Sequence, residues 1–160
     1  MIRALALPNR SFFLFGPRGV GKSTWFRKNL AGATRLDLLQ TSLDLELSRD
    51  PSRLEAMLAP RGKGGWVVLD EIQKVPELLD EVHRLIESHG WRFALCGSSA
   101  RKLRRRGTNL LGGRALTRTM ESFAVGELGA RFDLDAVLEW GTMPAVVLDG
   151  RNAADLLDAY

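Results

Sequence analysis

Eight consecutive residues constrain this chain more than any others: Gly16-Pro17-Arg18-Gly19-Val20-Gly21-Lys22-Ser23. They satisfy the pattern G-x-x-x-x-G-K-[ST] at every fixed position. The run before them, Ser11–Phe15 (SFFLF), is apolar and rich in aromatics, which predicts a buried strand ending at the glycine turn. The residues after them, Lys22–Leu30, predict a helix with Trp25, Phe26 and Leu30 on one side, closed at Ala31-Gly32. A glycine turn between strand and helix can exist without a ligand. Here, though, each fixed residue has a task toward phosphate. The glycines let the loop curl so that backbone N–H groups point inward. The helix that follows adds its free N–H groups and the positive end of its dipole. Lys22 brings a mobile cation to the β- and γ-phosphates, and the Ser23 hydroxyl is a hard oxygen of the kind magnesium prefers. The expected contacts to a nucleoside triphosphate run from Gly16, Pro17, Arg18, Gly19, Val20 and Gly21 through Lys22 and Ser23 to Thr24.

The rest of the chain supplies a matching frame. Thr34–Leu39 alternates as a second strand does, and residues 43–59 read as helix broken at Pro51. Arg61–Gly65 is a loop, after which Trp66–Leu69 forms a third buried strand that runs into Asp70-Glu71. Pro76 opens a helix through Ser88 whose stripe is Leu78, Leu79, Val82, Leu85 and Ile86, and His89-Gly90 ends it. Trp91–Cys96 is a fourth strand leading to Gly97-Ser98-Ser99, and Ala115–Met120 a fifth. Strands alternating with helices predict an α/β fold with a mainly parallel sheet covered on both faces.

In such sheets ligands gather at the carboxyl ends of the strands. Asp70 therefore reads as the residue that holds magnesium through its water shell, with Ser23. Glu71 reads as the group that orients and polarises an attacking water. Two acids at a loop start would be unremarkable alone, but their order after the phosphate loop suits the paired reading. A hydroxyl after the fourth strand, Ser98 or Ser99 with Ser98 favoured, reads as a contact to the γ-phosphate or the water; a plain turn is the alternative. His83, His89 and Cys96 lack metal-ligand spacing and read as structural, and Trp25, Trp66 and Trp91 as core.

Net charge is +4, which permits a polyanionic partner without requiring one. Arg101–Arg106 packs five cations into six residues. A weak DNA contact through Arg104, Arg105 and Arg106 is one reading; a solvated helix face is the other, and no aromatics are interleaved for base stacking. Cys96 is the single cysteine, so no internal disulfide forms, which fits a reducing cytoplasm. The opening MIRALALPNR is interrupted at Pro8 and Asn9 and does not read as a signal peptide. No apolar run approaches the roughly 18 residues of a membrane span.

Four segments in this order, GPRGVGKST, VVLDEIQKVPELLDEVHRLIE, LCGSSARKL and LLGGRAL, resemble a bacterial and archaeal group of AAA-type P-loop ATPases. The resemblance spans about Ser11 to Val147. It implies a three-layer αβα sandwich with a five-stranded sheet of order 5-1-4-3-2, and ATP with Mg2+ as ligands. It implies Asp70 and Glu71 as the acidic pair, Ser98 or Ser99 as a sensor residue, and Arg114 in Gly112-Gly113-Arg114-Ala115 as a family feature. Arg114 joins Lys22 and Glu71 as a catalytic candidate, acting in cis or across a homo-oligomer, with Arg18 a competitor and a structural ion pair the alternative. The guanine-reading N-K-x-D motif of P-loop GTPases is absent, which favours adenine. Relatives in the group are usually longer, and Asp155–Tyr160 (DLLDAY) stops inside an uncapped helical pattern. The expected division is an ATPase core over 1–130 and an incomplete helical C-terminal region over 131–160. Two functions stay open: an ATPase that hydrolyses, and a nucleotide-gated binding module with little turnover.

Overall fold

The computed structural model describes residues 3–104, 111–149 and 153–154. Five strands alternate with helices: β1 (Phe12–Phe15), α1 (Lys22–Asn29), β2 (Thr34–Asp37), α2 (Thr41–Arg49), α3 (Arg53–Leu58), β3 (Trp66–Asp70), α4 (Leu78–His89), β4 (Arg92–Gly97), α5 (Ala100–Arg104) and β5 (Leu116–Thr119). Three short helices follow, α6 (Val125–Leu128), α7 (Leu134–Trp140) and α8 (Pro144–Asp149). All strand pairs are parallel, and the order across the sheet is β2-β3-β4-β1-β5, as the resemblance implies. Parallel neighbours bring every strand's carboxyl end to one edge, where the glycine loop begins.

The alternation of side chains along a strand explains why β1 is apolar throughout. Phe12 and Leu14 pack on one face with Trp25, Phe26 and Leu30 of α1. Phe13 and Phe15 pack on the other with Leu47 of α2, Leu54 and Leu58 of α3, and Leu78, Val82 and Leu85 of α4. Phe12 meets Trp25 edge-on, with ring centroids 6.1 Å apart and planes at 89°. Trp25 and Trp91 are buried, whereas Trp66 is half-covered and carries the Arg92 guanidinium over its ring at 4.9 Å. Pro51 separates α2 from α3, the break expected there. Gly90, left-handed at φ 66, caps α4. Among the described residues no helix is long and apolar enough to cross a membrane. Arg105, Arg106 and the terminal Asp155–Tyr160 lie outside the described residues.

The N-terminal segment is held by one arginine. Arg3 donates from Nη1 to Glu127 Oε2 at 2.7 Å, and from Nη2 to the Val20 carbonyl at 2.6 Å and the Glu121 carbonyl at 2.9 Å. Its guanidinium also stacks on Phe123, 4.3 Å from the ring centroid. Glu127 in turn accepts from the backbone N–H groups of Ala4 at 2.7 Å and Ala124 at 3.0 Å. Both side chains are only 10% exposed. Removing one partner of such a pair leaves a charge with little water, so Glu127→Ala should cost about 3 kcal/mol of stability. Burial pushes the Glu127 carboxyl upward, but the Ala4 and Ala124 N–H groups and the Arg3 side chain outweigh it and hold it below the ordinary 4.5. A lowered carboxyl adds stability that is complete above its unfolded value and disappears as pH falls through its folded value. Urea unfolding at pH 7 and pH 3 should therefore show a smaller acid loss in Glu127→Gln than in the wild-type chain.

Candidate functional site

The turn that follows β1 is fixed by close approach. A Cβ on Gly16 would lie 2.0 Å from the Met120 carbonyl oxygen, at the end of β5, where the Met120 N–H bonds to the Phe15 carbonyl at 2.8 Å. No side chain fits between the two strand ends, so the first fixed glycine of the motif is demanded by packing as well as by phosphate. Gly19 and Gly21 are left-handed, at φ 76 and 90, and Gly21 stands at the N-cap of α1. The loop thus turns back on itself and delivers Lys22 to the first position of the helix.

Lys22 is 8% exposed, yet among the described residues no carboxylate accepts a hydrogen bond from its ammonium. It donates to the carbonyl oxygens of Gly16 and Pro17, both at 2.7 Å. Neutral acceptors satisfy its geometry and leave its charge uncompensated, which favours exchange for an anion. One residue on, Ser23 Oγ donates to Asp70 Oδ2 at 3.1 Å, joining the start of α1 to the end of β3. Asp70 Oδ1 accepts the Glu71 N–H at 3.0 Å. Ser23 and Asp70 offer hard oxygens side by side, a donor set that fits magnesium. Among the described residues, no three His, Cys, Asp or Glu gather into a metal cage of their own. Magnesium commonly takes one or two protein oxygens and completes its shell with phosphate and water, so such a cage is not needed.

A cleft of about 560 Å³ opens over the loop, lined by Arg18, Gly19, Gly21, Lys22, Ser23, Thr24, Asp70 and Glu71, with Asp37 and Leu39 on the far side. Asp37 and Leu39 were not singled out in the sequence. Asp37 ends β2 and pairs with Asp70, so the rule that ligands gather at carboxyl ends of strands was the signal available for it. A second, less polar cavity of about 270 Å³ shares Gly21 and Thr24 and continues to Val20, Trp25, Phe123 and Arg3.

Glu71 is left-handed, at φ 58 and ψ 42, although it carries a full side chain. Non-glycine residues in this region are strained by about 1–3 kcal/mol and concentrate at functional sites. Ser98 and Ser99 follow β4 at the same edge, but neither lines the cleft. Ser99 Oγ accepts the Arg101 N–H at 3.2 Å at the start of α5. Cys96 is buried; burial, then the neighbouring Asp70 charge, pushes its thiol far up.

Arg114 is not brought to this group. Leu116 pairs with Phe12 and Thr119 with Phe15, so Arg114 stands at the edge where strands begin. At a rise of about 3.3 Å per residue, five residues separate it from the loop's level by about 16 Å. There its Nε donates to Glu87 Oε1 at 2.6 Å.

The family model described as an AAA domain matches residues 8–129. The chain belongs to this AAA-domain family. Its fold is shared by the solved Aeropyrum pernix ORC1 protein in complex with DNA, with a TM-score of 0.55 at 17% identity over 94% of this chain and 53% of that one. The AAA domain described here thus spans about half of that chain. No curated protein matches it.

The exchange of carbonyls for phosphate at Lys22 can be measured. Charged hydrogen bonds contribute about 1.5–3 kcal/mol each. Lys22→Ala should weaken ATP binding about ten- to hundredfold by calorimetry with magnesium present; unchanged affinity would remove the loop from the site.

Proposed function

We propose that this AAA domain binds ATP with magnesium and hydrolyses it. The observation that carries the reading is the junction of Lys22, Ser23, Asp70 and Glu71 at one cleft, reached from the loop after β1 and the end of β3. The triphosphate lies along the loop, where the N–H groups of Gly19, Gly21 and Lys22 and the Lys22 ammonium receive its oxygens. Ser23 and Asp70 would hold magnesium, whose charge offsets that of the phosphates. The adenine ring takes the less polar cavity beside Thr24 and Phe123, which suits an aromatic base with a polar edge.

Hydrolysis needs a water aligned with the γ-phosphorus and a group to accept its proton. Glu71 supplies the carboxylate at the rim of the same cleft. Water attacks phosphorus, the bond to the β–γ bridging oxygen breaks with its electron pair going to ADP, and the water proton passes to Glu71. A glutamine keeps the shape and loses the basicity. Glu71→Gln should therefore bind ATP within about twofold of wild type and release phosphate about 100-fold more slowly. Phosphate release at the wild-type rate in Glu71→Gln would place the base elsewhere.

Arg114 enters this reading only across a subunit boundary. Its edge position and its exposed pairing with Glu87 put it on a surface that a second copy can meet. An arginine supplied in trans to the γ-phosphate contributes about 10³–10⁵ in rate. Turnover per chain should then rise with protein concentration, and mixing Arg114→Ala with Glu71→Gln should restore activity absent from either alone. Wild-type turnover in Arg114→Ala would exclude the role.

The alternative is a nucleotide-gated module that contacts DNA through Arg104, Arg105 and Arg106. It is supported by the charge of that stretch, and the ORC1 neighbour was solved with DNA. Phosphate release by the purified chain, with and without DNA, separates the two.

A further inference from the structure

Between Glu71 and the end of β4 lies a side chain that the reading above leaves without a task. Gln73 sits in the tight turn Ile72–Lys74 that follows Glu71. Its Nε2 donates to Glu71 Oε2. Its Oε1 is buried and has no hydrogen-bond partner among the described residues. The orientation of the carboxamide follows from chemistry. A carboxylate only accepts, so the NH2 end must face Glu71 and the oxygen must face away. That oxygen points at β4, where a Cβ on Gly97 would stand 2.6 Å from it and the Phe15 ring is 3.4 Å from the same point.

Three features meet here that folding alone does not favour. A buried acceptor is left unsatisfied, which native structures rarely tolerate. A left-handed backbone is imposed on a residue with a full side chain. A glycine closes β4 where any larger residue would push on the carboxamide. A leucine in place of Gln73 would remove the orphan oxygen and suit the apolar wall, so stability does not explain the glutamine. Its hydrogen bond to Glu71 does.

The geometry points to Gln73 as the residue that positions Glu71: its carboxamide, set against Gly97, holds the Glu71 carboxylate by one oxygen and leaves the other for water. Gln73 acts through Glu71 and touches no substrate itself. It also makes the end of β4 sensitive to where Glu71 is, because moving the carboxylate moves the carboxamide. This inference rests on the reading of Glu71 as the group that takes the proton from water.

The test combines turnover with a readout that needs none. In Gln73→Leu, kcat should fall about tenfold, a part of the 10²–10⁴ that a positioned base contributes in full, while KM for ATP stays within about twofold. The melting temperature should stay level or rise, because an unsatisfied buried oxygen has gone. In the Glu71→Gln background the same change should cost nothing more. Independently of turnover, the Gln73 side-chain NH2 signals in a ¹⁵N-correlated spectrum should shift in Glu71→Ala. Unmoved signals would overturn the contact. Moved signals with wild-type kcat in Gln73→Leu would overturn the positioning role. A parallel loss of kcat and melting temperature would make Gln73 structural only. If the wild-type chain releases no phosphate, the base reading of Glu71 falls, and the NH2 signals alone decide whether Gln73 holds it.

Discussion

Phe12, Phe13, Leu14 and Phe15 leave water in alternate directions, and all four are at least 96% buried, with 4% exposure at most. Two-sided burial requires helices above and below, and it requires strands on either flank to satisfy the backbone. β4 and β1 register Phe15 against Gly97, and β5 registers it against Thr119. The chain must then turn out of the sheet at residue 16, in a space already narrowed by the Met120 carbonyl. The phosphate cradle is the shape left for a backbone that leaves a crowded central strand and must start a helix against the same core.

Charge at the site is arranged for exchange. Lys22 rests on two carbonyl dipoles, and Ser23 rests on Asp70. Each contact holds a polar side chain at the cleft without a full opposite charge beside the Lys22 ammonium, and in the proposed reading a phosphate oxygen or a cation takes its place. Little reorganisation is then needed on binding, which is the main way a small polar cleft gains affinity. The Arg3 clasp extends this order backward. Because Arg3 bonds to the Val20 carbonyl inside the loop and to Glu127 beyond β5, the N-terminal segment, the loop and the segment after the sheet share one buried pair.

The strands, the helices and the phosphate loop were legible because local pattern determines them: an apolar run, a glycine turn, a 3.6-residue stripe. Asp70 and Glu71 were legible because they stand directly after such a run. Asp37 was missed because its partner, Asp70, comes from a strand 33 positions away in the chain, and only sheet order brings the two together. Arg3 and Glu127 lie further apart still, at a separation of 124. Gln73 is two residues from Glu71, yet its meaning depends on Gly97 of another strand. Arg114 shows the converse. It stands directly before the fifth strand, and in a parallel sheet the start of a strand lies opposite the carboxyl ends where the loop sits, so the expected sheet itself argued against a place beside Lys22 within one chain.

Glu71 adopts a backbone conformation that glycine or asparagine takes with less strain. Any procedure that ranks residues by how comfortably they fit the backbone will therefore suggest replacing it. The same holds for Gln73, whose buried oxygen invites a hydrocarbon. Thermostabilising redesign of this domain would converge on Glu71, which lines its cleft, and on Gln73 behind it, and erase them first. Discomfort of this kind, concentrated in two side chains of one turn, marks a place that folding free energy alone does not account for.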